Sequence, residues 1–450
     1  MGPSPVIATD GAPGAPPASI PYAWPIAMLL TVCFTMSYVD RQIISLLVGP
    51  IKESLGLTDT QMGLMQGVSF SLFYVAATLP LARLADRGSR PRIMGACIAV
   101  WSLATMLCGL ASNFWQMLLA RIGVAAGEAG LPPSALTTMA DMFDPKRLAR
   151  ATSIFMLAPF VGGGIALLGG GALYGWAETV AMPTLPGIGT LERWQFVFMV
   201  VGAPGLLLGA MVFVLADPKP NRAPPSGKDG TRELIAFILG EWRICLLYMI
   251  GTSLVVTLFN AHISWMPASI IRSQGIDEKT IGTLFGPIYL IAGSAGTLIA
   301  GAIIGRAPND LAGRTIRFMR LGCLFLLPMA VAAPLMPTLT LQLICIGASI
   351  FLTSSIVGLA ALPFQFLAPT HLRAQSVALM GLVSALLGTG LGPLLVGLFS
   401  DHVFAGAAQP LASALATVAG IVMPLAIILL SLVSRNHNRR RLDLLNAPRP

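Results

Sequence analysis

Apolar positions run along this chain in long blocks separated by short polar turns. Each block is about twenty residues, enough to cross a hydrocarbon layer of about 30 Å as a helix. The pattern predicts twelve helices, over 24–48, 61–82, 92–112, 114–140, 150–174, 194–216, 240–266, 281–304, 315–336, 338–367, 373–400 and 410–434. The longest polar break, DPKPNRAPPSGKDGTREL at 217–234, separates six spans from six. The expected organisation is a tail over 1–23, a six-helix bundle over 24–216, a linker over 217–236, a second bundle over 237–434 and a basic tail over 435–450. The fold class is an all-α membrane protein of two pseudo-symmetric six-helix bundles.

The halves read as copies. RATS (150–153) and RAQS (373–376) each open a span, 223 residues apart, and a proline precedes both (Pro145, Pro369). ARLADR (82–87) and GAIIGR (301–306) each end a span, 219 apart. Repeated halves place a substrate site between them near the midplane. Small residues recur every fourth position at Gly63/Gly67/Ser71, Gly162/Ala166/Gly170, Gly293/Thr297/Gly301 and Gly388/Gly392. That spacing lines one helix face and lets backbones approach closely, so these spans are expected to form the seam between halves. GGGIALLGGG (162–171) is read as packing rather than a nucleotide loop, because no strand precedes it.

Composition agrees with the pattern. Only 10% of the residues are charged, against about a quarter in a soluble domain. With both termini on one side, that side carries 22 of the 28 Lys and Arg, at 83, 87, 90, 92, 146, 147, 150, 219, 222, 228, 232, 243, 306, 314, 317, 320, 373, 435, 439, 440, 441 and 449. The other side carries four (Lys52, Arg193, Arg272, Lys279), and Arg41 and Arg121 fall inside spans. The positive-inside rule then predicts cytoplasmic termini in the cytoplasmic membrane. The net charge of +9 is thus a topology signal, and RNHNRRR (435–441) reads as a membrane-flanking anchor, with no nucleic-acid role. The six cysteines lie in apolar runs without CxxC spacing and are expected to be free buried thiols. The first twenty residues have no basic residue and no apolar core, which suits a flexible tail, and four scattered histidines make no metal pattern.

Candidate chemistry begins with SYVDRQII (37–44), where an acid and a base stand together in an apolar run. Of 19 acidic residues only Asp40 and Glu128 lie deep in spans, and only Arg41 and Arg121 are basic there. Facing lipid, the four would cost on the order of 10–14 kcal/mol, so they must face the interior and one another. Arg121 and Glu128 are two turns apart on one helix face, about 10.5 Å along the axis, which leaves room for side chains from the first span. Arg41 is expected to reach Glu128, leaving Asp40 to gain and lose a proton. Opening a cavity changes hydration and the distance to a guanidinium, two of the factors that set a carboxyl's proton affinity. Asp40 is the first choice for proton carrier and Glu128 the second; a static ion network that fixes packing is the alternative. Arg41 and Arg121 also suit an anionic head group, while for Arg121 structural pairing stands beside that role.

The turn ARLADRGSRPR (82–92) resembles the signature loop of the major facilitator superfamily, G-x-L-A-D-R-x-G-R-K. Leu84, Ala85, Asp86, Arg87 and Arg90 match it; Ala82, Ser89 and Pro91 depart. YVDR (38–41), RIGVAAGEA (121–129) and DMFDPKRLARATS (141–153) are together similar to the Spinster family, with Ser37 and Ala125 departing from its pattern. The resemblance implies the major facilitator fold and proton-linked transport of lysolipids, phosphorylated sphingosine among them in animals. It also implies a gate in which Asp86 pairs with arginines and a helix N-terminus of the other half, with Arg87, Arg90, Arg150 and Asp144 as members. Gly305 stands where the second copy of the loop would carry Asp, which implies a weaker latch there.

Shifting Asp40 by the repeat offset lands on LFNAHISW (258–265), so Asn260 and His262 are expected at the same level of the second half. Tyr38, Phe259, Trp265 and Phe364 are candidates for aromatic wall. The expected function is proton-coupled secondary transport of an amphipathic, lipid-like substrate by alternating access, by a monomer with no cofactor and no metal. Coupling falls to Asp40 and Glu128, and substrate contacts to Arg41, Arg121, Glu128, Tyr38, Asn260 and His262. The alternatives are a proton-coupled carrier of a small organic anion, a gradient-independent lipid facilitator and a receptor without transport. No ATP site is expected, since no P-loop pattern occurs.

Overall fold

The structure, a computed structural model, describes residues 22–186, 189–218, 230–306 and 310–446. The first span is α1 (Ala23–Leu46) followed after a bend at Leu47 by α2 (Val48–Leu55). The second is α3 (Asp59–Gln66) and α4 (Val68–Arg87), the third α5 (Arg90–Cys108), and the fourth α6 (Phe114–Glu128) and α7 (Leu131–Met142). Then come α8 (Pro145–Phe155) with α9 (Ala158–Ala177), a short hairpin of β1 (Thr184–Leu185) and β2 (Gly189–Thr190), and α10 (Arg193–Phe213). Helix α11 (Gly230–Gly240) lies at the end of the expected linker.

The second half comprises α12 (Trp242–Gln274), α13 (Glu278–Gly305), α14 (Leu311–Ala332), α15 (Leu339–Val357) and α16 (Leu362–Leu367). Its eleventh span is α17 (Arg373–Val383), a π-helical turn (Ser384–Gly390), α18 (Leu391–Leu398) and a second π-helical turn (Phe399–Val403). The last helix, α19 (Pro410–Asn446), continues past 434 into the basic stretch. Residues 1–21, 219–229 and 447–450, on which parts of the expected tails and linker fall, lie outside the described residues. Among the described residues eleven helical spans are long and apolar enough to cross a membrane. The twelfth is α6 with α7, which escapes a length test because it is broken.

The break has a covalent cause. Pro132 and Pro133 open α7 and have no N–H to give the carbonyls four residues back, those of Glu128 and Ala129. Glu128 therefore ends α6 inside the bundle. Within the first half α1 packs on α9 and α10 on α5; within the second α12 packs on α19 and α13 on α15. All six cysteines are free, five buried and Cys345 half-buried.

The halves meet along two helix crossings, and the small residues decide how closely. A Cβ on Gly63 would lie 2.4 Å from the Pro393 carbonyl oxygen, and one on Gly67 2.3 Å from that of Gly390. At the other crossing α9 meets α13, where a Cβ on Gly282 would lie 2.4 Å from the Leu167 oxygen. The predicted stripes divide. Gly63/Gly67/Ser71 and Gly293 face the opposite half. Gly162 and Gly170 instead pack on α1 of their own half, and Gly388 and Gly392 on α12 of theirs. The seam on α9 is one step further round the helix, at Gly163, Gly164 and Gly171. A four-residue period identifies a close-packed face but not the neighbour that it faces.

Candidate functional site

Four intramembrane charges converge between α1 and α6. Arg41 donates through Nη2 to Glu128 Oε2 at 2.5 Å and through Nε to the same oxygen at 3.1 Å. Arg121, 1% exposed, lies two turns before Glu128 on α6, where its Nη1 reaches the backbone oxygen of Asp40 at 3.3 Å. The Asp40 carboxylate is not part of the pair. It is 1% exposed, its Oδ1 has no hydrogen-bond partner, and it faces Trp101 and Thr105 of α5. Arg121 Nε and Glu128 Oε1 are likewise unpartnered. The cluster thus carries an occupied ion pair, a buried guanidinium with an unbonded Nε and a buried carboxyl outside the pair.

Sequence reasoning overlooked the aromatic insulation of this cluster. Phe70 of α4 lies against both guanidiniums, its ring centroid 4.4 Å from Arg41 Cζ and 5.2 Å from that of Arg121. Tyr38 and Tyr74 also face Arg41, at 4.9 and 5.4 Å. An aromatic face offers a cation partial compensation for lost water. The signal was present as Phe70 and Tyr74, four residues apart on one helix face, and that spacing alone does not name the partner.

Other expected residues are placed differently. Asn260, half-buried, donates to the Val256 oxygen of its own helix at 2.9 Å. His262 is turned into the second bundle, where its Nδ1 lies 3.3 Å from Ser349 Oγ. Trp265 donates to the Pro393 oxygen at 2.9 Å and Phe364 packs on Tyr248, so both are internal packing of the second half and not wall between the halves. Phe259 does face the first half, at Phe160 across a ring separation of 6.4 Å, and packs on Tyr289 of its own half at 6.3 Å.

Of the expected gate, Arg90 is the hub. It bonds Asp86 and Asp141, both at 2.9 Å, and its backbone N–H reaches Asp217 at 3.1 Å. Asp86 and Asp141 belong to the first half and Asp217 opens the linker, so none of the three is in the second half. Asp144 caps α8 by accepting from Lys146 and Arg147 N–H groups, and Arg87 and Arg150 are exposed. On this basic face Leu79 and Leu84 are about half exposed, and nothing lies within 4 Å of a Cβ added at Gly301, Gly305 or Gly381.

The ionic bridge between the halves is on the opposite face. Asp59, at the start of α3 and 3% exposed, accepts a two-pronged bond from Arg272 of α12, 3.0 Å on each oxygen. Lys52 and Ser400 also donate to it, Ser400 at 2.7 Å. Asp401 returns the contact by accepting the Asp59 and Thr60 backbone N–H groups at 3.2 and 2.6 Å, covering the N-terminus of α3 from the other half. A cleft of about 990 Å³ opens beside this clasp, lined by Glu53, Glu178, Glu192 and Glu278 among others. It does not contain the four buried charges, and volume alone does not make it the site.

The Major Facilitator Superfamily model matches residues 30–393. An MFS-type efflux pump of Mycolicibacterium smegmatis is 28% identical over 389 residues, 84% of this chain and 85% of that protein. A sphingosine-1-phosphate transporter of Danio rerio is 25% identical over 406 residues, 83% and 75% of the two chains. A bacterial homologue of the human lysosomal transporter Spinster, in an inward-facing and unoccupied conformation, superposes with a TM-score of 0.75 at 27% identity, covering 93% of this chain and 96% of that one.

Proposed function

As the chain belongs to the Major Facilitator Superfamily, with Spinster homologues among its relatives, we propose that it is a proton-coupled carrier of a lipid-like anion, working by alternating access. The observation that carries the proposal is the division of labour among the buried charges. Arg41 is committed to Glu128, so the carboxyl of Asp40 is left buried outside the ion pair, with its Oδ1 unbonded. A neutral carboxyl is far less costly there than an ionised one, so on this reading Asp40 takes up its proton in the present conformation. The cluster then sums to +1: two guanidiniums against one Glu128 carboxylate. It is ready for a phosphate or carboxylate head group, for which Arg121 has an unbonded Nε. Loss of the Asp40 proton removes that charge and weakens the hold on the anion.

The basic face is the cytoplasmic one on this reading, because it carries the excess of Lys and Arg. The structure then opens inward, and the acyl chain of a substrate would lie toward Tyr38, Phe259 and Tyr289. The relative that transports sphingosine-1-phosphate supports the lipid class. The unbonded Nε of Arg121 supports a second reading, a small organic anion without a lipid tail.

Proteoliposomes with an internal pH dye test the proposal. Lysophospholipid or sphingoid phosphate should move protons with the native protein and not with Asp40→Asn. Equilibration of lipid without proton movement would overturn the coupling, and proton movement with aromatic or sugar acids alone would favour the second reading.

A further inference from the structure

Helix α12 contains Pro267, which has no N–H for the carbonyl of Ile263 one turn before it. In the buried middle of a membrane bundle a freed carbonyl needs another donor, which a neighbouring helix can supply. Here the donor comes from the other half. Gln42 of α1 gives one amide hydrogen to the Ile263 oxygen at 3.0 Å and the other to Ser45 Oγ at 2.8 Å. Ser45 in turn donates to the Gln42 backbone oxygen at 2.7 Å, which locks the side chain in that orientation. Gln42 and Ile263 are 9% and 4% exposed, so water does not compete for the bond.

Gln42 is two residues beyond Asp40 and next to Arg41. Two residues turn an α-helix by about 200°. Helix α1 therefore presents Asp40 to α5 of its own half and Gln42 to α12 of the other. Ile263 is nine residues before Arg272, about 13 Å along α12 from the Asp59 clasp.

We propose that Gln42 is a positioning residue for transport: its bond to the carbonyl freed by Pro267 is the joint through which α1, carrying the proton site, grips the opposite half while the face bearing Asp59 is shut. The joint must part when the halves rock the other way, so it weights the equilibrium toward the present conformation. The inference rests on the alternating-access reading above, but it does not depend on Asp40 being the proton carrier.

A double-mutant cycle tests it in the full-length protein, with native cysteines replaced and spin labels at the exposed positions 53 and 408 on the clasp face. Gln42→Met keeps the length of the side chain and loses the donor. It should reduce the ratio of closed to open clasp face about fivefold, the change a typical net hydrogen bond confers. Pro267→Ala supplies the missing N–H within α12, so the carbonyl no longer needs Gln42. In that background Gln42→Met should change the ratio less than twofold. An equal effect in both backgrounds, or none in the native one, overturns the joint. Asp40→Asn, measured with the same labels across pH, separates the two ideas. A surviving pH response refutes the proton reading alone, and an uncoupled cycle refutes the joint alone.

Discussion

Replacing Asp59 with Asn perturbs the contact that holds the halves together on the clasp face. Asp59 receives two charged donors from Arg272, one from Lys52 and a hydroxyl from Ser400. Only the Arg272 and Ser400 contacts cross between halves; Lys52 belongs to the same half. A hydrogen bond to a charged group contributes about 1.5–3 kcal/mol net. The Arg272 side chain is 37% exposed, so solvent screening puts its pair of bonds at the low end. Asn keeps the shape, one acceptor oxygen and the backbone N–H groups that Asp401 accepts. It loses the charge and one prong of the fork. The expected loss in closure is about 2 kcal/mol, roughly a factor of 30 in the ratio of closed to open clasp face. Spin–spin distances between labels at 53 and 408 should lengthen and those across the basic face shorten. Unchanged distances in the folded variant would show that the clasp does not set the conformation, and that the helix crossings alone do.

Three further outcomes follow from the geometry. Gly63→Val places a side chain where even a Cβ lies 2.4 Å from the Pro393 oxygen, so the clasp face should not close and transport should stop; normal closure by the same distance measurement refutes this. Glu128→Gln leaves Arg41 without its carboxylate, and breaking a buried pair costs about 3 kcal/mol. Because Arg41 is partly exposed, the loss should fall at or below that figure and appear as a lower melting temperature in detergent. Phe70→Leu removes the ring that both guanidiniums contact, at a cost of about 1–2 kcal/mol. It should lower thermal stability more than Phe73→Leu, since Phe73 is 40% exposed; equal effects would mean that Phe70 serves only as bulk.

Much of this protein was legible before any tertiary contact. The spans follow from the length of the apolar blocks, because lipid forces every backbone polar group to be satisfied within its own segment. Asp40, Arg41, Arg121 and Glu128 stood out because a charge in such a block is costly whatever surrounds it. The expected Arg41–Glu128 contact is also present. The bends at Leu47, Gly67 and Ala129 were not anticipated, although the two prolines after Ala129 mark the last of them.

Partner choice was decided by the fold alone. Asp59 is 213 residues from Arg272 and 341 from Ser400, Asp401 is 341–342 from the N–H groups it accepts, and nothing near either acid in the chain distinguishes it from surface acids. The same holds for Gln42, whose partner is a carbonyl freed by a proline in the other half. His262, Trp265 and Phe364 lie at suitable depths but are turned into their own bundle. Depth is set by position along an apolar segment and is local information. Direction is set by the rotation of each helix against its neighbours, which the packing of all twelve spans settles together.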